Sequence, residues 1–118
     1  AKVIPTGATA ENRLGFSTQV PMNSCFLTTG SGRKLKLGNR MVTLQHGAPK
    51  NFAFKGHLMQ EMVQALRSIG QKNITAEVEN RIGQLLAEHP ENDTIAHDLL
   101  LAPVWMRELI EQNRKKQV

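Results

Sequence analysis

The sequence predicts an α+β domain, with a mainly antiparallel sheet that contains a hairpin meander and is packed on one face by C-terminal helices. Between residues 22 and 46, turn residues separate short runs in which apolar and polar side chains alternate, as is typical of strands. From about residue 56 onward, apolar residues recur at spacings of three and four, as in helices that bury one face. A length of 118 residues suits a single domain with one core.

The chain begins with a short strand followed by a short helix. Val3 and Ile4 are predicted to end a buried strand, and the helix is predicted over about residues 7–14. Thr6 suits the N-cap, and Gly15 suits the left-handed residue that follows a helix. The phosphate-binding pattern G-x-x-x-x-G-K-[ST] is absent, so we interpret this helix start as structural.

Three strands are predicted next, over residues 23–28, 33–37 and 40–45. Residues 29–32 would turn the first pair, and Gly38-Asn39 suits a two-residue hairpin loop. Alternation predicts one buried apolar face and one solvent face. The buried face would hold Leu35, Leu37, Val42 and Leu44, and the solvent face Lys34 and Lys36 with their neighbours Arg33 and Arg40.

Four helices are predicted in the second half of the chain. They run from about residue 56 to Gly70, from an N-cap at Thr75 to Pro90, from residue 92 to about 101, and from Pro103 onward. Their spacing predicts a core made of Leu58, Met59, Met62, Val63, Leu66, Ile69, Val78, Ile82, Leu85, Leu86, Val104, Trp105, Leu109 and Ile110.

The net charge of +5 is placed unevenly along the chain. Residues 1–55 contain eight basic side chains and only Glu11 as an acid, whereas residues 56–118 contain seven basic and nine acidic side chains. A basic half can contact phosphate. The candidate nucleic-acid-binding residues are Arg33, Lys34, Lys36 and Arg40, followed by Lys50 and Lys55. The alternative is that the lysines protect an exposed sheet edge, since no aromatic residue accompanies them to stack bases.

No catalytic, metal-binding or cofactor-binding residues are predicted. The basic half has one carboxylate, and the four histidines lack paired ligand spacing. His97 and Asp98 are adjacent, and neighbouring helical side chains diverge by about 100°, so we expect a structural histidine near Trp105 instead of a catalytic pair. Cys25 is expected to be a small buried hydrophobic residue.

The sequence contains no apolar run of about 20 residues and no secretory signal pattern. We therefore expect a soluble, cytoplasmic protein without membrane contact. The chain begins in a strand without an initiator methionine, which predicts that it is part of a longer protein.

Several distinctive strings lie between Ile4 and Ile110. They are IPTGA at 4–8, LGFSTQVP at 14–21, FLT at 26–28, PKNFAFKG at 49–56, HD at 97–98 and LAPVW at 101–105. Together they resemble the C-terminal region of bacterial AbiEi-type antitoxins, in a subfamily whose members begin with a winged helix.

The resemblance implies a non-enzymatic domain of a type IV toxin–antitoxin system associated with abortive infection. Such an antitoxin opposes a nucleotidyltransferase-like toxin and represses its own operon, binding DNA mainly through a winged helix that this chain does not contain. The alternatives are a dimerisation or docking module, including a homodimer, or a degenerate nuclease-like enzyme. The family implies no active-site residues in this chain.

Overall fold

A four-stranded mixed sheet and five α-helices make up residues 2–89 and 92–116, which the computed structural model describes. The strands are β1 (Val3–Pro5), β2 (Asn23–Thr28), β3 (Arg33–Leu37) and β4 (Arg40–His46). The helices are α1 (Gly7–Arg13), α2 (His57–Ile69), α3 (Ala76–Glu88), α4 (Asn92–Leu99) and α5 (Val104–Lys115), with short 3-10 helices at Pro49–Phe52 and Gln71–Asn73. The predicted α+β class is confirmed. None of the described helices is both long enough and apolar enough to cross a bilayer.

The strand order is β1-β2-β4-β3, and two of its three pairings are antiparallel. The hairpin predicted between β3 and β4 is confirmed, with Gly38 at a positive φ of 64° in its loop. The hairpin predicted between β2 and β3 is wrong, because β2 pairs in parallel with β4. Residues 29–32 carry the chain past the end of β4, where the Gly30 carbonyl lies 2.9 Å from Nδ1 of His46. Turn residues indicate a change of direction but do not determine which strands pair.

The predicted helix ends lie close to the observed ones. Thr75 is the N-cap of α3, and its Oγ1 accepts a hydrogen bond from the Val78 N–H at 3.2 Å. Gly15 follows α1 with φ +79°, as predicted. Thr6 is the N-cap of α1, but its hydroxyl does not cap the helix. It donates instead to Oε1 of Gln64 on α2 at 2.7 Å.

The hydrophobic core lies among the helices. The predicted apolar positions of α2 and α3 are confirmed, although Ile69 and Val78 are only partly buried. The prediction that Val104 is buried is wrong, since it is 61% exposed. In α5 the buried positions are Met106, Ile110 and Asn113, and their spacing of four and three places Val104 outside the buried stripe. Trp105 and Leu109 are partly buried and pack against the hydrophobic core.

The apolar face of the β3–β4 hairpin is not buried as predicted. Leu37 is 64% exposed, and Leu35, Val42 and Leu44 are half-buried. The reason is that helices α1 and α2 contact the other half of the sheet, at β1 and β2. The hairpin therefore extends beyond the helical core.

Candidate functional site

Four of the predicted nucleic-acid-binding residues lie together on the β3–β4 hairpin. Arg33, Lys34, Lys36 and Arg40, which we call the basic hairpin, are all exposed. Within the described residues none of the four has a carboxylate partner. The sequence contains no Asp or Glu between residues 12 and 60. The hairpin therefore presents uncompensated positive charge to solvent.

The strand register places these cations on both faces of the hairpin. Lys34 pairs with Thr43 and Lys36 with Met41, so the two lysines share one face. Arg33 lies opposite Leu44, and Leu37 lies opposite Arg40. The arginines therefore lie on the face that contains the apolar side chains. The prediction that all four share a single solvent face is wrong, because the period-two alternation of a strand separates neighbours such as Arg33 and Lys34.

Lys50 and Lys55 lie outside the hairpin and line two different pockets. Lys50 is in the short helix Pro49–Phe52 and lines a pocket together with Arg67. Lys55 lies just before α2, in a larger cleft. The six predicted residues thus do not form one surface. The strand order also makes β3 an edge strand, which is the position that the edge-protection alternative requires.

A cleft of about 420 Å³ opens beside the first turn of α2, and we call it the α2 cleft. Its walls come from β1, from Arg13 on α1, from Phe54 and Lys55, and from His57, Gln60 and Glu61 on α2. Nε of Arg13 lies 2.8 Å from Oε1 of Glu61 and ties α1 to α2 across it. Lys2 and Lys55 add two further cations. The lining therefore carries three basic residues and one acidic residue, for a net charge of +2.

Asp98 is a fully buried carboxylate that fixes the rim of this cleft. Its Oδ1 accepts from the Lys55 N–H at 2.8 Å, and its Oδ2 accepts from the Gly56 N–H at 2.7 Å. Nδ1 of His97 lies 2.8 Å from Oδ1. Asp98 thus joins α4 to the start of α2 and satisfies two N–H groups of the segment that leads into the helix.

The expectation that the side chains of His97 and Asp98 diverge is wrong, because Nδ1 of His97 lies 2.8 Å from Oδ1 of Asp98. Divergent helical side chains can still meet when one of them is a carboxylate with two oxygens near the backbone. Trp105 lines a different pocket from the α2 cleft, together with Gln71 and Ile74. The role of Asp98 could not have been found from the sequence, because its two backbone partners lie 42 and 43 residues away.

Cys25 is half-buried in β2 and has a free thiol. The expectation that Cys25 is buried therefore holds only in part. Within residues 2–89 and 92–116, no group of three or more His, Cys, Asp or Glu side chains is arranged to hold a metal ion.

A family model described as a family of unknown function (DUF6088) matches residues 1–94 of the chain. The match covers the whole sheet, the basic hairpin, the α2 cleft and helices α1 to α3. No curated protein and no solved structure matches the chain.

Proposed function

The chain belongs to the DUF6088 family of unknown function, and from its own residues we propose that it is a non-enzymatic regulatory domain that contacts nucleic acid through the basic hairpin. We further propose that the protein acts in the cytoplasm as an antitoxin. In this role it opposes a nucleotidyltransferase-like toxin and takes part in repressing its own operon. The observation that carries the proposed nucleic-acid contact is the group of four cations on the exposed β3–β4 hairpin, none of which has a carboxylate partner among the described residues.

The hairpin has the charge distribution that sequence-independent phosphate binding requires. The β3–β4 hairpin is the outer half of the four-stranded sheet, because β4 also pairs with β2 and on this side only β3 has a free edge. Cations on both faces of this outer half can contact phosphates of a duplex that approaches the free edge. Such contacts position a protein on DNA and carry no base recognition. The hairpin would therefore add affinity, and sequence would be read by another part of the protein.

The salt dependence of binding tests this proposal quantitatively. Neutralising four phosphates gives a slope of log Kobs against log salt of about −3.6, or 0.9 for each contact. We expect Lys34→Gln with Lys36→Gln to halve that slope, and Arg33→Gln with Arg40→Gln to do the same. If only one pair lowers the slope, the basic hairpin contacts phosphates through one face alone.

The slopes are measured by fluorescence anisotropy of a labelled duplex at salt concentrations between about 50 and 200 mM. Lys72→Gln is the matched control, because Lys72 is exposed in the short helix Gln71–Asn73, outside the hairpin. A slope shallower than about −1, or one that the fourfold variant leaves unchanged, would show that the hairpin does not bind phosphate. In that case its lysines would serve edge protection.

The antitoxin role is supported by the resemblance of the strings at 4–8, 14–21 and 49–56 to AbiEi-type antitoxins. Growth rescue tests it directly. The 118-residue chain is co-expressed with the toxin encoded beside its gene, and cells that express the toxin alone serve as the control. We expect the chain to restore growth. Absence of rescue by a folded, expressed chain would refute antitoxicity.

A second candidate function is a docking or dimerisation module, which an exposed apolar patch between α4 and α5 favours. Leu100 is 70% exposed, Leu101 is 44% exposed and Val104 is 61% exposed. Three exposed apolar side chains within five positions can supply the apolar part of an interaction surface. Light scattering after gel filtration should show a dimer that Leu100→Ser with Val104→Ser converts to a monomer. A monomeric wild-type protein would remove this candidate.

A further inference from the structure

The α2 cleft is lined by a glutamine that is almost fully buried as a residue and whose amide has no hydrogen-bond partner among the described residues. Gln60 is 8% exposed and lines the cleft. Among the residues that the structure describes, none forms a hydrogen bond with its side chain. Gln64, one turn later, shows the contrast. It accepts from the Thr6 hydroxyl at 2.7 Å and donates to Oδ1 of Asn51 at 3.3 Å.

The amide of Gln60 is directed towards the cleft. Positions 57, 60, 61 and 64 share one face of α2, because their spacings are three and four. This face of α2 is turned towards α1, because Glu61 forms an ion pair with Arg13 and Gln64 forms a hydrogen bond with Thr6, at the two ends of α1. No fully enclosed side-chain nitrogen or oxygen in the described residues lacks a partner. The small exposed area of Gln60 therefore opens into the cleft that it lines.

The amide atoms of Gln60 are in contact with the solvent in the cleft, because no enclosed polar side-chain atom of the described residues lacks a partner. A ligand that offers both a donor and an acceptor could replace this solvent with direct hydrogen bonds. The amide presents an N–H₂ donor beside a carbonyl acceptor. The same pair recognises the N6 and N7 edge of adenine when glutamine reads DNA.

The rest of the cleft complements a phosphate and an apolar ring. Lys2 and Lys55 line it, and within the described residues neither side chain has a carboxylate partner. Ile4 and Phe54 supply apolar walls. A volume of about 420 Å³ falls within the range of small-molecule sites and is far larger than an inorganic ion needs.

We propose that the α2 cleft binds a nucleoside phosphate with an adenine-type base. In this arrangement the Gln60 amide bonds the base edge, Ile4 and Phe54 contact the ring, and Lys2 and Lys55 bind the phosphate. The nucleotide is either free or the 5′-phosphorylated end of a strand. The site is independent of the basic hairpin, since none of the four hairpin cations lines it.

Calorimetric titration of the whole chain tests the proposal with four probes: AMP, adenosine, inorganic phosphate and a 5′-phosphorylated oligoadenylate. We expect AMP to bind with a Kd of about 1 mM or below, and at least about tenfold more tightly than adenosine or phosphate. Oligoadenylate binding tighter than that of AMP, with the same dependence on Gln60, would support the site and identify a strand end as the source.

Matched variants separate the contributions of base and phosphate. Gln60→Met keeps the length of the side chain, removes the amide and should weaken AMP binding about tenfold. Gln45→Met, at an exposed glutamine in β4, should have no effect. Lys55→Gln should weaken AMP binding by a similar factor, and Lys72→Gln should not. Unchanged affinity in a folded Gln60→Met protein would overturn the inference.

A measurement on the wild-type protein needs no variant. The His57 ring lines the cleft, whereas His46, His89 and His97 do not. AMP should therefore shift the ring proton signals of His57 and leave those of the other three histidines in place. Absence of any AMP-dependent shift, or phosphate binding as tightly as AMP, would overturn the assignment of a nucleotide site.

Discussion

Replacement of Asp98 should destabilise the domain far more than replacement of an exposed carboxylate on the same helix. Asp98 is 0% exposed and accepts the N–H groups of Lys55 and Gly56. In Asp98→Ala both donors lose their acceptor. Each unsatisfied donor costs about 1–3 kcal/mol. The bond from Lys55 is only partly buried, so water can compensate for part of its loss, and we expect about 2–4 kcal/mol in total.

Asp98→Asn tests the same reasoning without leaving a cavity. The amide oxygen can replace one carboxylate oxygen, but the N–H₂ group then faces a backbone N–H that needs an acceptor. We expect a loss of about 1–3 kcal/mol, against a total stability of about 5–15 kcal/mol for a domain. Asp93→Asn, at an exposed position of α4, should stay within about 0.5 kcal/mol of the wild type.

Urea unfolding followed by circular dichroism measures these differences from the midpoint, provided that the m-value is unchanged. At a slope of about 2 kcal/mol/M, the middle of the usual range, the expected loss in Asp98→Ala lowers the midpoint by about 1–2 M. If Asp98→Asn unfolds at the same urea concentration as Asp93→Asn, the two backbone hydrogen bonds do not stabilise the fold, and the reasoning is wrong.

Two further predictions concern backbone geometry and are measured by the same urea unfolding. Gly15→Ala and Gly38→Ala each place alanine at a positive φ, which costs about 1–2 kcal/mol. Gly15→Ala should cost about 1 kcal/mol more, because its Cβ would lie 2.8 Å from Nε of Arg81, which donates to the Leu14 carbonyl; equal losses would show that Arg81 moves freely. Thr75→Ala should cost about 1 kcal/mol by removing the N-cap of α3, and a loss below about 0.3 kcal/mol would contradict that role.

Local patterns were sufficient for most of the elements and for their ends. Alternation and turn residues located β2, β3 and β4, and apolar spacing located α2 and α3, because each of these signals lies within one or two turns of chain. The left-handed Gly15 and the cap at Thr75 were predicted for the same reason. Failures came where a distant segment decided the outcome, as with the parallel pairing of β2 and β4 and the exposure of Val104.

Of the two candidate sites, one could be predicted from local sequence patterns and the other could not. The basic hairpin was visible in the sequence, because charge and strand alternation are local properties, although the face of each cation needed the register. The α2 cleft was not visible. Its walls come from residues 2–5, from Arg13 and from residues 54–61, and no local pattern marks Gln60 as a residue without a partner.

Composition and short periodicities account for the α+β class, for the helical core positions of α2 and α3, and for the excess of positive charge in the first half of the chain. The pairing of the strands, the extension of the hairpin beyond the helices and the contact of Asp98 with the start of α2 emerged with the fold. Each of these three features results from contacts between segments far apart in sequence, whose geometry depends on the packing of the whole chain.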